Sequence, residues 1–248
     1  MNHRVLHIPD SFALFKTSGD NLFDVTITDP PFPERVQTNM CSGTLAKPGG
    51  GVPKYELPFD PLSDYTFVLD LLRMTRRWVI IKCSVEAFGE FRRVVGDSQY
   101  QRSAIWYKPN SMGQLTRDRP GTACEGIACM HKVTKFPQSW NGYGSWGMWK
   151  CNGTRGKPDR HPNEMPLDLC LKLVALFSQP WEGIFDPFAG SGAIGEAAKR
   201  LGREYYTGWD NDEHWVARAN ERLVTVNGTT SQAEALSLCK MKGEEAEG

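Results

Sequence analysis

Two stretches of this chain run from an apolar segment into a rigid turn, and no other feature narrows the fold as far. Residues 23–28 alternate apolar and polar side chains with β-branching, which reads as a strand, and they end in Asp29-Pro30-Pro31-Phe32. Residues 183–185 lead as a second strand into Asp186-Pro187-Phe188-Ala189-Gly190-Ser191-Gly192, and 193–201 read as the helix that follows. A strand that turns through glycines into a helix lets backbone approach a ligand closely and aims free helix N–H groups at it, which suits a carboxylate or a phosphate. Further strands are expected at 78–82, 104–107 and 205–209, with one more candidate strand at 126–131 as the only break in an otherwise irregular 108–160, and further helices at 61–75, 85–95, 163–177 and 212–224. Strands alternating with helices build an α/β fold with a doubly wound, mostly parallel sheet, whose ligands sit at the strand ends.

The chain has 248 residues, enough for one domain with a proper core, and a single domain over 1–248 is expected. Its formal charge is zero, with 29 basic and 29 acidic residues, so net charge identifies no partner. The distribution says more: residues 100–160 carry ten Lys/Arg against three acids, a surface that can meet phosphates or simply be solvated. The seven cysteines form no Cys-x-x-Cys pair and suggest reduced thiols. Cys124, Cys129 and His131 match no common zinc spacing, so no metal is expected. The start lacks an apolar leader core and no apolar run could span a bilayer, so a soluble, cytoplasmic protein with no membrane partner is expected. Residues 36–58, rich in glycine and proline, read as a mobile loop and candidate lid beside the first strand end. The segment 226–248, with its acidic end, reads as a frayed tail.

The glycine turn has two readings. Gly190, Gly192 and Gly195 also satisfy a dinucleotide-binding G-x-G-x-x-G, with Asp210 at the spacing where such folds hold a ribose. What precedes the glycines favours another cofactor, because a dinucleotide fingerprint runs from apolar strand straight into glycine near the start of its domain. Here Asp186-Pro187-Phe188-Ala189 intervenes, three quarters of the way along the chain.

The element from Phe185 to Gly192, preceded by His161-Pro162-Asn163-Glu164-Met165-Pro166-Leu167 and followed by Tyr206-Thr207-Gly208-Trp209-Asp210, resembles the S-adenosylmethionine motifs of DNA amino-methyltransferases. The resemblance is to the permuted β-type group, in which the catalytic motif precedes the cofactor motif, and it covers roughly residues 5–225. It implies a Rossmann-like methyltransferase sheet with a short irregular target-recognition insert. It also implies that Asp186, Pro187, Phe188, Ala189, Gly190, Ser191 and Gly192 lie beside the amino-acid part of the cofactor, that Asp210 holds its ribose, and that His161 and Pro162 complete the pocket. Asp10 resembles the acid near the cofactor's adenine, and it also reads as a plain helix cap. One departure stands out: Met165 occupies the place where the group usually has lysine.

The chemistry then required is attack by an exocyclic amine on a sulfonium methyl group. An aromatic amine is a weak nucleophile because its lone pair is delocalised into the ring. Accepting both of its N–H hydrogens turns the nitrogen toward sp³, and the Asp29 carboxylate with the Pro30 carbonyl, held by Pro30 and Pro31, can do so. Phe32 can stack on the base, and a duplex substrate then implies base flipping. Aspartate at the first position is commoner among the adenine-N6 enzymes of the resembled group, and serine among the cytosine-N4 enzymes. The expected function is therefore site-specific, S-adenosylmethionine-dependent methylation of adenine N6 in double-stranded DNA, as in restriction-modification, in a bacterial cell or from a virus in its host. Cytosine-N4 methylation, methylation of RNA or of a protein amide, and a non-catalytic nucleic-acid-binding relative are the alternatives.

Target recognition is expected at 109–160, flanked by Lys108. The candidate DNA contacts are Lys108, Lys132, Lys135, Trp140, Trp146, Lys150, Arg155 and Lys157, since cations suit phosphates and aromatics suit stacking. The tryptophans fit a packed subdomain or a homodimer interface equally well.

Overall fold

The computed structural model describes residues 2–31, 62, 64–113, 120–135, 138–154 and 164–241. The candidate lid at 36–58 and the site candidates Phe32, Arg155, Lys157, His161 and Pro162 lie outside the described residues. In chain order the elements are β1 (His3–His7), α1 (Ser11–Thr17), β2 (Val25–Thr28), α2 (Phe67–Met74), β3 (Trp78–Cys83), α3 (Ala87–Val95), β4 (Tyr100–Tyr107), β5 (Cys124–His131), β6 (Met148–Lys150), α4 (Leu167–Phe177), β7 (Ile184–Asp186), α5 (Ala193–Arg200), β8 (Tyr206–Asp210), α6 (Glu213–Thr225) and α7 (Gln232–Ser237).

The strands form one eight-stranded sheet in the order β1-β8-β7-β2-β3-β5-β4-β6. All neighbours are parallel except around β5, which runs antiparallel to both β3 and β4. The α/β, mostly parallel, doubly wound architecture is therefore the one expected. Period-2 alternation in β3 shows how both faces are covered. Trp78 and Ile80 join a core built with α4 and α5, while Val79, Ile81 and Cys83 join one built with α1, α2 and α3. Buried on both faces, β3 reads as a continuous apolar run broken only by Lys82.

Three parts of the chain depart from expectation. Residues 3–7, where the sequence pattern predicts no strand, form β1 and pair in parallel with β8. Within 109–160 the candidate strand at 126–131 is present as β5, but as an inner strand of the main sheet rather than part of an insert, and Met148–Lys150 of the Trp/Gly run, which reads as neither helix nor strand, forms the edge strand β6. Nor is 226–248 frayed throughout. Residues 232–237 form α7, whose Ala235 is fully buried, and Gln232 bonds both the Ala175 carbonyl (2.6 Å) and the Arg203 guanidinium (2.6 Å).

Candidate active site

The two turns meet at the middle of the sheet. β2 and β7 are parallel neighbours, with Val25 opposite Ile184 and Thr26 opposite Phe185, and the Thr28 hydroxyl donates to Asp186 Oδ1 at 2.7 Å. From β2 the chain proceeds to β3 on one side, and from β7 to β8 on the other. Strand order thus reverses between them, which is where open α/β sheets bind ligands. A cleft opens there, lined by Asp29, Pro30 and Pro31 from the first turn and by Asp186, Phe188, Ala189, Gly190 and Ser191 from the second.

On the catalytic side both Asp29 oxygens lie 3.0 Å from Lys82 Nζ, which is also 2.9 Å from Glu125 Oε2. Glu125 in turn pairs with Lys108. Burial pushes the Asp29 carboxyl up to about 6, against the pull of Lys82 and with a further push from Glu125. Burial alone would lower Lys82, yet Asp29 and Glu125 together hold its ammonium above the usual lysine range. Glu125 is buried as well, but its two lysines keep it below the ordinary carboxylate value.

On the opposite side Gly190 and Gly192 take positive φ, 49° and 76°, to turn the strand into α5. A Cβ on Gly192 would also stand 2.9 Å from that of Ala219 on α6. Gly192→Val therefore combines left-handed strain with a clash, and a loss of about 2–4 kcal/mol is expected, read as a drop in Tm of the purified protein. Asp210 Oδ2 accepts from the Gly190 amide at 2.7 Å and Oδ1 from the Asp212 amide at 3.0 Å, so this acid staples the glycine turn as well as lining the cleft.

Asp186 is 1% exposed, and among the described residues its hydrogen-bond donors are all uncharged: Thr28, the Phe188 amide (3.3 Å) and the Tyr206 hydroxyl (3.2 Å). Burial raises its carboxyl to about 7. A buried carboxylate without a cationic partner is expensive, and it suits a ligand that brings the cation.

Other candidates are placed elsewhere. Asp10 is the exposed N-cap of α1, accepting from the Ala13 amide at 2.9 Å, and it is not among the cleft-lining residues. Pro187 and Gly192 shape the turn without lining the cleft. Lys108 and Lys150 lie toward the active-site edge of the sheet, at the C-terminal ends of β4 and β6. Lys132, Lys135 and Trp140 do not. β5 starts beside Cys83 and ends beside Trp78, so it carries the chain to the opposite edge of the sheet. There Lys132 Nζ bonds the Arg73 carbonyl (2.8 Å), and the Ser139 carbonyl next to Trp140 accepts from Trp78 Nε1 (2.8 Å). Trp146 precedes β6 and is 56% exposed. The six described candidates therefore do not form one surface.

A family model described as DNA methylase, of the N6/N4 amino-methyltransferases, matches residues 73–221, more than half of the chain. The chain belongs to this family. The N6/N4 methylase is 25% identical over 260 residues to the type II methyltransferase M.HinfI of Haemophilus influenzae, covering 92% of this chain and 70% of that protein. It is 28% identical over 150 residues to M.XycI of Xanthomonas campestris pv. cyanopsidis, covering 56% of this chain and 49% of that one, so it spans only about half of some relatives. Among solved structures, M1.HpyAVI has a TM-score of 0.63 at 17% identity, covering 91% of this chain and 100% of that one. The PvuII DNA methyltransferase, described as cytosine-N4-specific, has a TM-score of 0.66 at 14% identity, with 95% and 90% covered. At those identities the likeness is one of fold.

Sequence reasoning passed over several of the methylase's cleft residues. Lys82 carried a readable signal, since a lysine inside an apolar strand needs a buried partner. Glu164 had none. Its carboxylate accepts from the Ser191 hydroxyl at 2.5 Å and pairs with Arg222 at 3.2 Å, tying the segment before α4 to the glycine turn. Met165, in the place of the usual lysine, is buried and lines the cleft beside it.

Proposed function

We propose that this methylase transfers a methyl group from S-adenosylmethionine to the N6 amino group of adenine in double-stranded DNA. The observation that carries the reading is that Asp29-Pro30-Pro31 and the Asp186–Gly192 turn, far apart in sequence, line one cleft at the switch point of the sheet. The residues present fit the cofactor. Asp186 offers a buried negative charge to its amino-acid end, the Gly190 turn allows close approach of backbone, and Asp210 stands at the cleft wall for the ribose. Bound there, S-adenosylmethionine supplies an electrophilic methyl group on a sulfonium.

The remaining work falls to this chain's own side chains. Asp29 and the Pro30 carbonyl accept the two N–H hydrogens of the target amine, which concentrates its lone pair on nitrogen and aims it into the cleft. With its carboxyl at about 6, Asp29 is mostly ionised at neutral pH and able to accept. The amine's proton leaves after the methyl group has arrived, so no strong general base is required. Phe32 supplies a stacking face, and the base reaches the cleft by flipping out of the duplex. Lys108 and Lys150, toward the active-site edge, are placed for the DNA backbone.

Adenine rests on aspartate at the first position of the catalytic turn. Long-read methylome sequencing of DNA from a methylation-deficient host expressing the chain tests the whole reading. N6-methyladenine in one fixed sequence context is expected; modification confined to cytosine would replace the substrate, and an unmodified genome would refute the function.

A further inference from the structure

Four adjacent strands each deliver one charge to the active-site edge, and the signs alternate. Asp29 follows β2, Lys82 lies on β3, Glu125 on β5 and Lys108 follows β4, matching the sheet order β2-β3-β5-β4. The contacts are continuous: Lys82 Nζ to both Asp29 oxygens at 3.0 Å, Lys82 Nζ to Glu125 at 2.9 Å, then Glu125 to Lys108. The Lys82 side chain is 3% exposed, so its charge is balanced inside the fold. The Trp106 ring lies 6.0 Å from Lys82 Nζ and 5.3 Å from Lys108 Nζ, flanking the row with an aromatic face. A buried ion pair adds little net stability compared with apolar packing, so a four-charge row ending on the catalytic turn calls for a role in function.

We propose that Lys82, anchored by Glu125, is the positioning residue of this methylase: it holds the Asp29 carboxylate ionised and oriented toward the target amine. The inference rests on the catalytic role proposed for Asp29. Bonding both oxygens of one carboxylate fixes its plane, and each oxygen keeps a lone pair for an N–H donor. Glu125 draws Lys82 toward the neighbouring strand, which leaves Asp29 less acidic than a lone lysine partner would make it. The other groups facing Asp29 are Lys108, Asp186 from β7, and the Cys83 and Cys170 thiols, both neutral at physiological pH.

The consequence is a pair of opposite shifts. Lys82→Met removes the cation and leaves Asp29 buried, so the acid limb of the kcat–pH profile should move up by about one unit or more, with recovery toward pH 9. Lys82→Arg should restore the wild-type limb. Glu125→Gln removes the competing anion and a like charge, so the limb should move down. Titration of the Asp29 carboxyl by carbon NMR in the same proteins gives a readout that needs no turnover. If the wild type transfers no methyl group, the functional reading fails, and the NMR shifts alone decide the role of Lys82. A profile that keeps its limb in Lys82→Met while kcat falls uniformly would overturn the proposal, as would shifts of the same sign in Lys82→Met and Glu125→Gln. Should Lys82→Met not fold, the downward shift in Glu125→Gln, read by both kcat and carbon NMR, decides the matter by itself, and its absence overturns the proposal.

Discussion

Asp29→Ala is expected to lower kcat by about 10²–10³-fold or more, the scale on which loss of one preorganised polar contact to the reacting group is felt. The protein should nonetheless stay folded. Lys82 keeps Glu125 as partner, and the carboxyl of Asp29 titrates above its ordinary value in the folded state. A raised folded pKa means that the native state binds the proton more tightly than the unfolded chain, so ionisation of Asp29 opposes folding as pH rises through about 6. Removing the group should therefore leave Tm at pH 8 unchanged or higher. Asp29→Asn separates the two contributions, since its amide oxygen still accepts one hydrogen bond. Its kcat should lie between those of wild type and Asp29→Ala, and the acid limb near 6 should disappear. Activity comparable to wild type in Asp29→Ala would remove Asp29 from the chemistry.

Asp186→Asn should have the second large effect, and in two directions at once. The carboxyl is 1% exposed, bonded only to neutral donors among the described residues, and raised to about 7. Between its unfolded value of 3.8 and about 7 the folded protein holds a proton that the unfolded chain has released, so stability contributed by this group falls as pH rises across that window. The relief from neutralising it at pH 8 is at most ~4 kcal/mol. An amide can still accept from Thr28 and can donate to the Tyr206 oxygen. The cofactor-free protein should therefore melt higher at pH 8 and lose most of the pH dependence of Tm between 5 and 8. Binding of S-adenosylmethionine, measured by calorimetry, should weaken at least about tenfold, because the cation then meets a neutral group. Unchanged affinity would show that Asp186 is structural only.

Much of this arrangement was legible because local chemistry and global fold agree at the strand ends. Val25–Thr28 and Ile184–Asp186 are β-branched or apolar segments stopped by proline or glycine, and such endings fall at the ligand edge in any parallel sheet. What stayed hidden depends on partners distant in sequence. His3–His7 has one buried position, Val5, and becomes a strand because β8 offers its edge. The α7 segment is short, and it is ordered by Ala175, Lys172 and Arg203 from elsewhere in the chain. The direction of β5 mattered most. Composition groups Lys132, Lys135 and Trp140 with Lys108 and Lys150, yet one antiparallel strand sends the first three to the far edge, and no periodicity reports strand direction. The pairing of Lys82 with Glu125 followed the same rule, since the two face each other only once β5 lies beside β3.

The central claim is the identity of the methylated atom, and the most direct measurement incubates the purified chain with duplex DNA and methyl-labelled S-adenosylmethionine, digests the DNA to nucleosides and identifies the labelled product by mass spectrometry. The account predicts label in N6-methyladenine, absent with Asp29→Ala. Label in N4-methylcytosine alone, or none in DNA, would contradict it.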